Sequence, residues 1–174
     1  AGFGADLGAE KFLDIKCRMA GLSPSAVVIV ATVRALKHHG GVAKADLGQE
    51  NLAALEAGLP NLLQHVENIT KVFKLPAVVA INRFPTDTEA ELALIEEKCR
   101  ELGVNVALSE VWGKGSAGGE ALAKEVVRLA EQESTFEYAY SLDMTIEEKI
   151  EAIAKKIYRA DGIQLAPQAK KQLE

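Results

Sequence analysis

Apolar residues in this chain follow two rhythms. Three short runs are continuous or nearly so: Ser25–Val33 (SAVVIVATV), Ala77–Ile81 (AVVAI) and Val104–Leu108 (VNVAL). Such runs suit strands covered on both faces, as in a parallel sheet. Elsewhere apolar positions recur every three or four residues, the spacing of a helix face. Glu10–Ala20 presents Phe12, Ile15 and Met19, and Gly21 is placed to stop it. Gly48–Lys74 presents Leu52, Leu55, Leu59, Leu62, Leu63, Val66 and Ile69, with a break expected at Gly58-Leu59-Pro60. A helix carrying Leu92, Ile95 and Cys99 starts at a cap on Asp87 or Thr88 and ends at Gly103. Glu120–Gln132 packs through Leu122, Val126, Val127 and Leu129. Phe136, Tyr138 and Tyr140 form an edge strand or pack on the body. Thr145-Ile146-Glu147-Glu148 is a capping box that opens a helix through Ile150, Ile153, Ile157 and Tyr158, and Pro167 starts a last helix. Strands alternating with helices predict an α/β fold around a parallel sheet.

The polar loops that follow the strands carry the candidate chemistry. Ala77–Ile81 runs into Asn82-Arg83-Phe84-Pro85-Thr86-Asp87-Thr88, and Val104–Leu108 into Ser109-Glu110-Val111-Trp112-Gly113-Lys114-Gly115. In a parallel sheet both loops open into one crevice at the carboxyl ends of the strands. Each brings one aromatic residue among polar ones, which suits a flat heterocyclic ligand. Asn82, Thr86, Asp87 and Lys114 are candidate contacts by their place at strand ends. Thr86 and Asp87 also have a capping explanation, because a helix begins there. Arg34 follows the first strand and offers a planar fork to phosphate or carboxylate. The opening Gly2-Phe3-Gly4-Ala5-Asp6 is a glycine-rich loop, equally well a turn before a helix. Gly113-Lys114-Gly115 resembles part of a phosphate loop. It is not a Walker A motif, because Gly115 stands at the hydroxyl position and Leu108 at the first glycine position.

Composition narrows the classes. The 174 residues carry a formal net charge of −5 and are 48% hydrophobic, which fits a folded domain and argues against a nucleic-acid binder. Cys17 and Cys99 have no metal-ligand spacing and read as buried thiols of a cytosolic protein. No metal site is expected. The adjacent pair His38 and His39 is assigned to surface or loop, and His65 to a helix surface. No apolar stretch reaches membrane-spanning length and no signal peptide opens the chain. The start at Ala1 inside a glycine-rich loop and the end at Glu174 inside a helical pattern suggest a piece of a longer protein.

The stretches AGFGADLGAEKF, DIKCR, ATVRALK, HHGGVAKADLGQENL, GLPNLLQHVENI, VVAINRFPTDTEAEL, EVWGKG, KKIYRADGI and AKKQL together resemble the formate–tetrahydrofolate ligase family, as an internal segment of its bacterial type. The resemblance covers essentially the whole chain. It implies a three-layer, parallel-sheet segment of a P-loop NTPase-like fold, lacking the P-loop itself, with a helical C-terminal part. Residues 1–75 would be the later part of the nucleotide-binding core. Residues 76–174 would form a folate-side α/β domain with C-terminal helices. The implied reaction formylates tetrahydrofolate with formate and ATP through formyl phosphate, and the segment alone would be inactive. Phe84 and Trp112 match the aromatics that sandwich the pterin ring, with Pro85 and Leu108 as apolar walls. Gly2, Phe3, Gly4 and Asp6 match a segment near the nucleotide and formyl phosphate. The resemblance further implies Mg-ATP, a monovalent cation, the rest of the parent chain as partner, and a cytoplasmic homotetramer. Two rivals stand beside it. One is a non-catalytic α/β oligomerisation or scaffold domain. The other is a GTPase-type module, since VVAINR resembles a base-recognition strand ending in Asn-Lys-x-Asp, though Arg83 and Pro85 depart from that pattern.

Overall fold

A computed structural model describes residues 4–173. The three apolar runs become β1 (Val27–Ala31), β2 (Ala77–Asn82) and β3 (Asn105–Ser109). They form one sheet in the order β1-β2-β3, and both pairings are parallel. Ala31 lies opposite Ile81 and Ile81 opposite Leu108, so the three strands end together. The α/β, parallel-sheet architecture read from the alternating pattern is the architecture found.

The first helical stretch joins wide, π-type turns over Ala5–Ala9 and Phe12–Cys17 to a closing α turn, α1 (Arg18–Ala20), which ends at Gly21 in the left-handed region. Of the expected inward stripe Phe12 does pack, half-buried, against the main core, but Ile15 and Met19 do not. Leu13, Asp14 and Cys17 are buried instead, while Met19 is 83% exposed. Residues 10, 13, 14 and 17 share one helix face, and that face meets the body. Next come α2 (Val33–His39), capped by Thr32, and α3 (Leu52–Glu67), capped by Asn51. The break expected at Pro60 does not occur. Pro60 lies on the exposed side, and buried Leu55, Leu59, Leu62 and Val66 grip the helix on either side of it. That burial outweighs the roughly 3 kcal/mol cost of an interior proline. At Gly58 a Cβ would stand 1.9 Å from the Leu36 carbonyl oxygen, so α2 and α3 meet backbone to backbone.

The chain continues through wide turns at Asn68–Val72, then β2, α4 (Glu89–Glu101), β3, α5 (Val111–Lys114), a tight turn at Gly115–Gly119, α6 (Glu120–Ala130), α7 (Ile146–Lys156) and α8 (Pro167–Leu173). One face of the sheet, with Ile29, Val79 and Ile81, builds the main core with Leu36, Leu55, Leu59, Leu92 and Ile95 of α2, α3 and α4. The other face carries a smaller core of Val78, Ala107 and Leu129, backed by Leu122 and Val126 of α6. Val127, expected in that core, points outward because it sits a third of a turn from its neighbour Val126. β2 is buried on both faces, as its sequence predicts. β1 is not: Val30 is 67% exposed, because α6 lies against β2 and β3. Phe136–Tyr140 packs on the body rather than joining the sheet, and the Asp14 carboxylate accepts the Ala139 N–H at 2.8 Å. No helix among the described residues is long and apolar enough to cross a membrane.

Candidate functional site

The loop after β2 is a tight turn locked from both sides. The Phe84 N–H donates to Asp87 Oδ2 at 2.8 Å, and the Asp87 N–H donates back to the Phe84 carbonyl at 3.0 Å. Asp87 is therefore the turn's lock, and Thr88 is the cap. Thr88 and Glu91 form a full capping box, in which Thr88 Oγ1 accepts the Glu91 N–H and the Glu91 carboxylate accepts the Thr88 N–H. Asp87 is buried, and its Oδ1 has no partner among the described residues. Burial raises its pKa above the ordinary carboxylate value, with the Phe84 N–H acting in the opposite sense. Pro85 and Thr86 stand exposed at the tip, and Asn82 is half-buried at the end of β2 opposite Ser109.

The loop after β3 folds back on itself. The Glu110 N–H donates to the Gly118 carbonyl at 3.0 Å. A Cβ at Gly118 would come within 2.5 Å of the Glu110 backbone, so only glycine allows this approach. Trp112 rides on the short α5 and is 65% exposed, an unusual situation for a large apolar ring. Its indole N–H donates to the Arg83 carbonyl at 2.9 Å, which ties it to the residue before Phe84. The Arg83 guanidinium pairs with Glu89 at 2.6 Å and reaches Glu110 at 3.7 Å. Lys114 is exposed and pairs with the same Glu110 at 2.6 Å. The Lys114 ammonium holds the Glu110 carboxyl below its usual range, with the Arg83 charge acting in the same sense.

The third strand end joins these two. Arg34, in the first turn of α2, places its guanidinium carbon 5.2 Å from the centre of the Phe84 ring, within cation–π range. Arg34, Phe84 and Trp112 thus gather at the C-terminal rim of the sheet, one from each strand's loop. Leu108 lies lower on β3, half-buried against the main core and lining the groove along that strand with Glu110 and Lys114. Gly4 borders a different groove, along β1, with Thr32, Ala35, His39 and His65. Asp6 is half-buried, and its carbonyl lies 3.5 Å from the Tyr158 hydroxyl. Gly2 and Phe3 lie outside the described residues.

Three features escaped the sequence reading. His65 is not on an open helix surface. Its Nδ1 is shielded with no partner among the described residues, and burial lowers its pKa. Arg83, passed over as a departure from a GTPase motif, links the two loops. The third is a buried ion pair beneath the site, Lys37 Nζ to Glu91 Oε1 at 2.8 Å, with both side chains fully shielded. Thr88-Glu89-Ala90-Glu91 could have flagged the capping box. Nothing local flags Lys37. Among the described residues, no group of three or more His, Cys, Asp or Glu side chains converges to hold a metal ion.

A family model described as formate–tetrahydrofolate ligase matches residues 1–174 of the chain.

Proposed function

The chain belongs to the formate–tetrahydrofolate ligase family, whose substrates include ATP and tetrahydrofolate, and from that membership we infer that the strand-end rim is its folate-binding side. The observation that carries the reading is Trp112, an exposed indole pinned by its N–H to the backbone beside Phe84. Two aromatic rings on adjacent loops offer a flat heterocycle contact area on both of its faces. In this reading the pterin ring enters between Phe84 and Trp112, with Pro85 and Leu108 as apolar neighbours. Arg34 and Lys114 are cations at the same rim, suited to the anionic parts of the substrates. The folate amine is then oriented toward formyl phosphate, and this segment's part is positioning.

Gly2, Phe3, Gly4 and Asp6 are assigned to the nucleotide and formyl phosphate region by resemblance. The resemblance assigns Mg-ATP and phosphate handling largely to the rest of a complete ligase polypeptide, and the segment alone is expected to be inactive. The resemblance also supports a cytoplasmic homotetramer. The exposed Val28 and Val30 on β1 favour the coarser second reading, an assembly surface, and the two readings are compatible.

Trp112 is the only tryptophan in the chain, so its fluorescence reports the site directly. Tetrahydrofolate is expected to quench it saturably, after correction for ligand absorbance, and the quenching is expected to weaken in Phe84→Ala. Equal quenching of both proteins would remove the pterin from the Phe84 ring. The segment's inactivity is tested by ATP- and formate-dependent turnover of tetrahydrofolate, where clear activity would refute it.

A further inference from the structure

Beneath the Phe84 loop lies a buried charge network. Lys37, in α2, is fully shielded, and its ammonium donates to Glu91 Oε1 at 2.8 Å and to the Gln49 carbonyl at 2.7 Å. Glu91, in α4, is equally shielded and accepts N–H groups from Asn51 and Thr88, both at 3.1 Å. Four chain segments therefore meet on one ion pair: α2, the turn at Gln49, the cap of α3 and the cap of α4. A buried ion pair is weak evidence of stabilisation, because desolvating two charges offsets most of their attraction. What such a pair does supply is a single geometry, since each charge must find its partner.

That geometry controls the rim. Arg34 lies one turn before Lys37 on α2, and its guanidinium sits over the Phe84 ring. Thr88, held by Glu91, directly follows the Asp87 that locks the Phe84 turn. The ion pair thus fixes the helix carrying Arg34 against the helix start carrying Phe84. We propose that Lys37 and Glu91 are positioning residues for tetrahydrofolate: they set the Phe84 ring, and Arg34 above it, in the arrangement that receives the pterin. The inference rests on the folate reading of the Phe84 loop.

The test uses the complete ligase and replaces the charges while keeping the volume and the capping box. Lys37→Met with Glu91→Gln removes the ion pair and leaves a glutamine in the capping position. Lys37→Gln with Glu91→Gln leaves a neutral hydrogen bond across the gap and serves as a second route to a folded protein. Steady-state kinetics and thermal unfolding are read on both, beside Phe84→Ala. The expected result is a folded enzyme whose KM for tetrahydrofolate rises tenfold to about a hundredfold, the scale of an ångström-level misplacement. Its KM for ATP stays within about twofold of the parent, because the pair acts on the folate rim alone. An unchanged KM for tetrahydrofolate in a folded double variant, with Phe84→Ala raising it, would overturn the positioning role alone. An unchanged KM in Phe84→Ala would overturn the folate reading and the inference with it. Failure of both double variants to fold would also overturn the inference, since the pair would then be a stability element.

Discussion

The loops after β2 and β3 each deliver one aromatic ring to the same rim, yet they are built in opposite ways. The Phe84 loop is fastened from below. Its turn closes on buried Asp87, its helix start closes on a capping box, and the box closes on a buried ion pair. The Trp112 loop is fastened from its own backbone and from the surface. It has a glycine-permitted fold-back at Gly118, an exposed Lys114–Glu110 pair and one indole hydrogen bond to the neighbouring loop. One jaw is set by the core, and the other hangs on the first. Local stability follows burial, so the second loop belongs to the low-stability end of the fold. On the proposed folate reading, a ring that admits and releases a flat ligand is better placed on that side.

The largest effect should come from breaking the fastened jaw. Glu91→Ala leaves the Lys37 ammonium buried without its partner and removes the acceptor for the Thr88 and Asn51 N–H groups. Unfolding in urea should show a loss of roughly 3–5 kcal/mol, the cost of an uncompensated buried charge. A loss no larger than that of a surface substitution would mean that water reaches the pair, and the contrast between the loops would collapse. Burial works to raise the Glu91 pKa, but the hydrogen bonds from Lys37, Thr88 and Asn51 and the Lys37 charge hold it below its ordinary value. Glu91 thus contributes stability that is present above the unfolded carboxylate pKa and is lost as pH falls through its depressed folded value.

Gly118→Ala should have the next largest effect, and it acts on the other jaw. The added methyl meets the Glu110 backbone, which cannot move aside like a flexible side chain. Overpacking of this kind costs about 1–3 kcal/mol. The expected signature is local: Trp112 emission shifts while hydrogen exchange along α4 stays as in the parent. Protection lost across α4 as well would show that the two loops are one cooperative unit.

Legibility in the sequence divides along the same line. The strands, their parallel arrangement and the starts of α4, α6, α7 and α8 were readable, because continuous β-branched runs and helix-start residues act locally, whereas α2 and α5 were not read as helices. The rim aromatics were readable because each stands in a polar loop just past a strand. The buried faces were less so. In Glu10–Ala20 the inward stripe includes Asp14, whose carboxylate meets a backbone N–H from residue 139, and no pattern of apolar residues announces that. The continuity of α3 through Pro60 depends on packing against α2, a tertiary fact. Lys37 reads as one more cation in a basic stretch, because its partner is 54 residues away. The part of the site that could be read is the part proposed to touch ligand. The part that could not be read holds it in place through contacts between distant segments.

Asp87 gives a smaller effect with the opposite sign to Glu91. Burial raises its pKa above 3.8. The folded state therefore holds the proton more tightly than the unfolded chain. Stability from this group is fully present below the unfolded pKa and is lost as pH rises through the folded value. Asp87→Asn keeps an oxygen for the Phe84 N–H and removes the charge. Its stability curve should lack that loss, so it gains on the parent as pH rises through the folded Asp87 pKa toward neutrality. A gain on the acid side instead would show that the Asp87 carboxylate is stabilised as an ion, and the turn lock would then be electrostatic.

Lys114→Ala should have the smallest effect on stability. Its partner Glu110 also lies near Arg83, so removing the lysine leaves that carboxylate another cation. The pair is solvent-screened, and ordering two side chains at a surface offsets most of the attraction between them. The thermal midpoint in ordinary salt is expected to match the parent within error, and Trp112 emission should not move, because the indole is held by Arg83 rather than by Lys114. Were this one substitution to unfasten the loop, the Trp112 jaw would depend on a side-chain clamp as the Phe84 jaw does. The two loops would then differ only in burial, not in the way they are held.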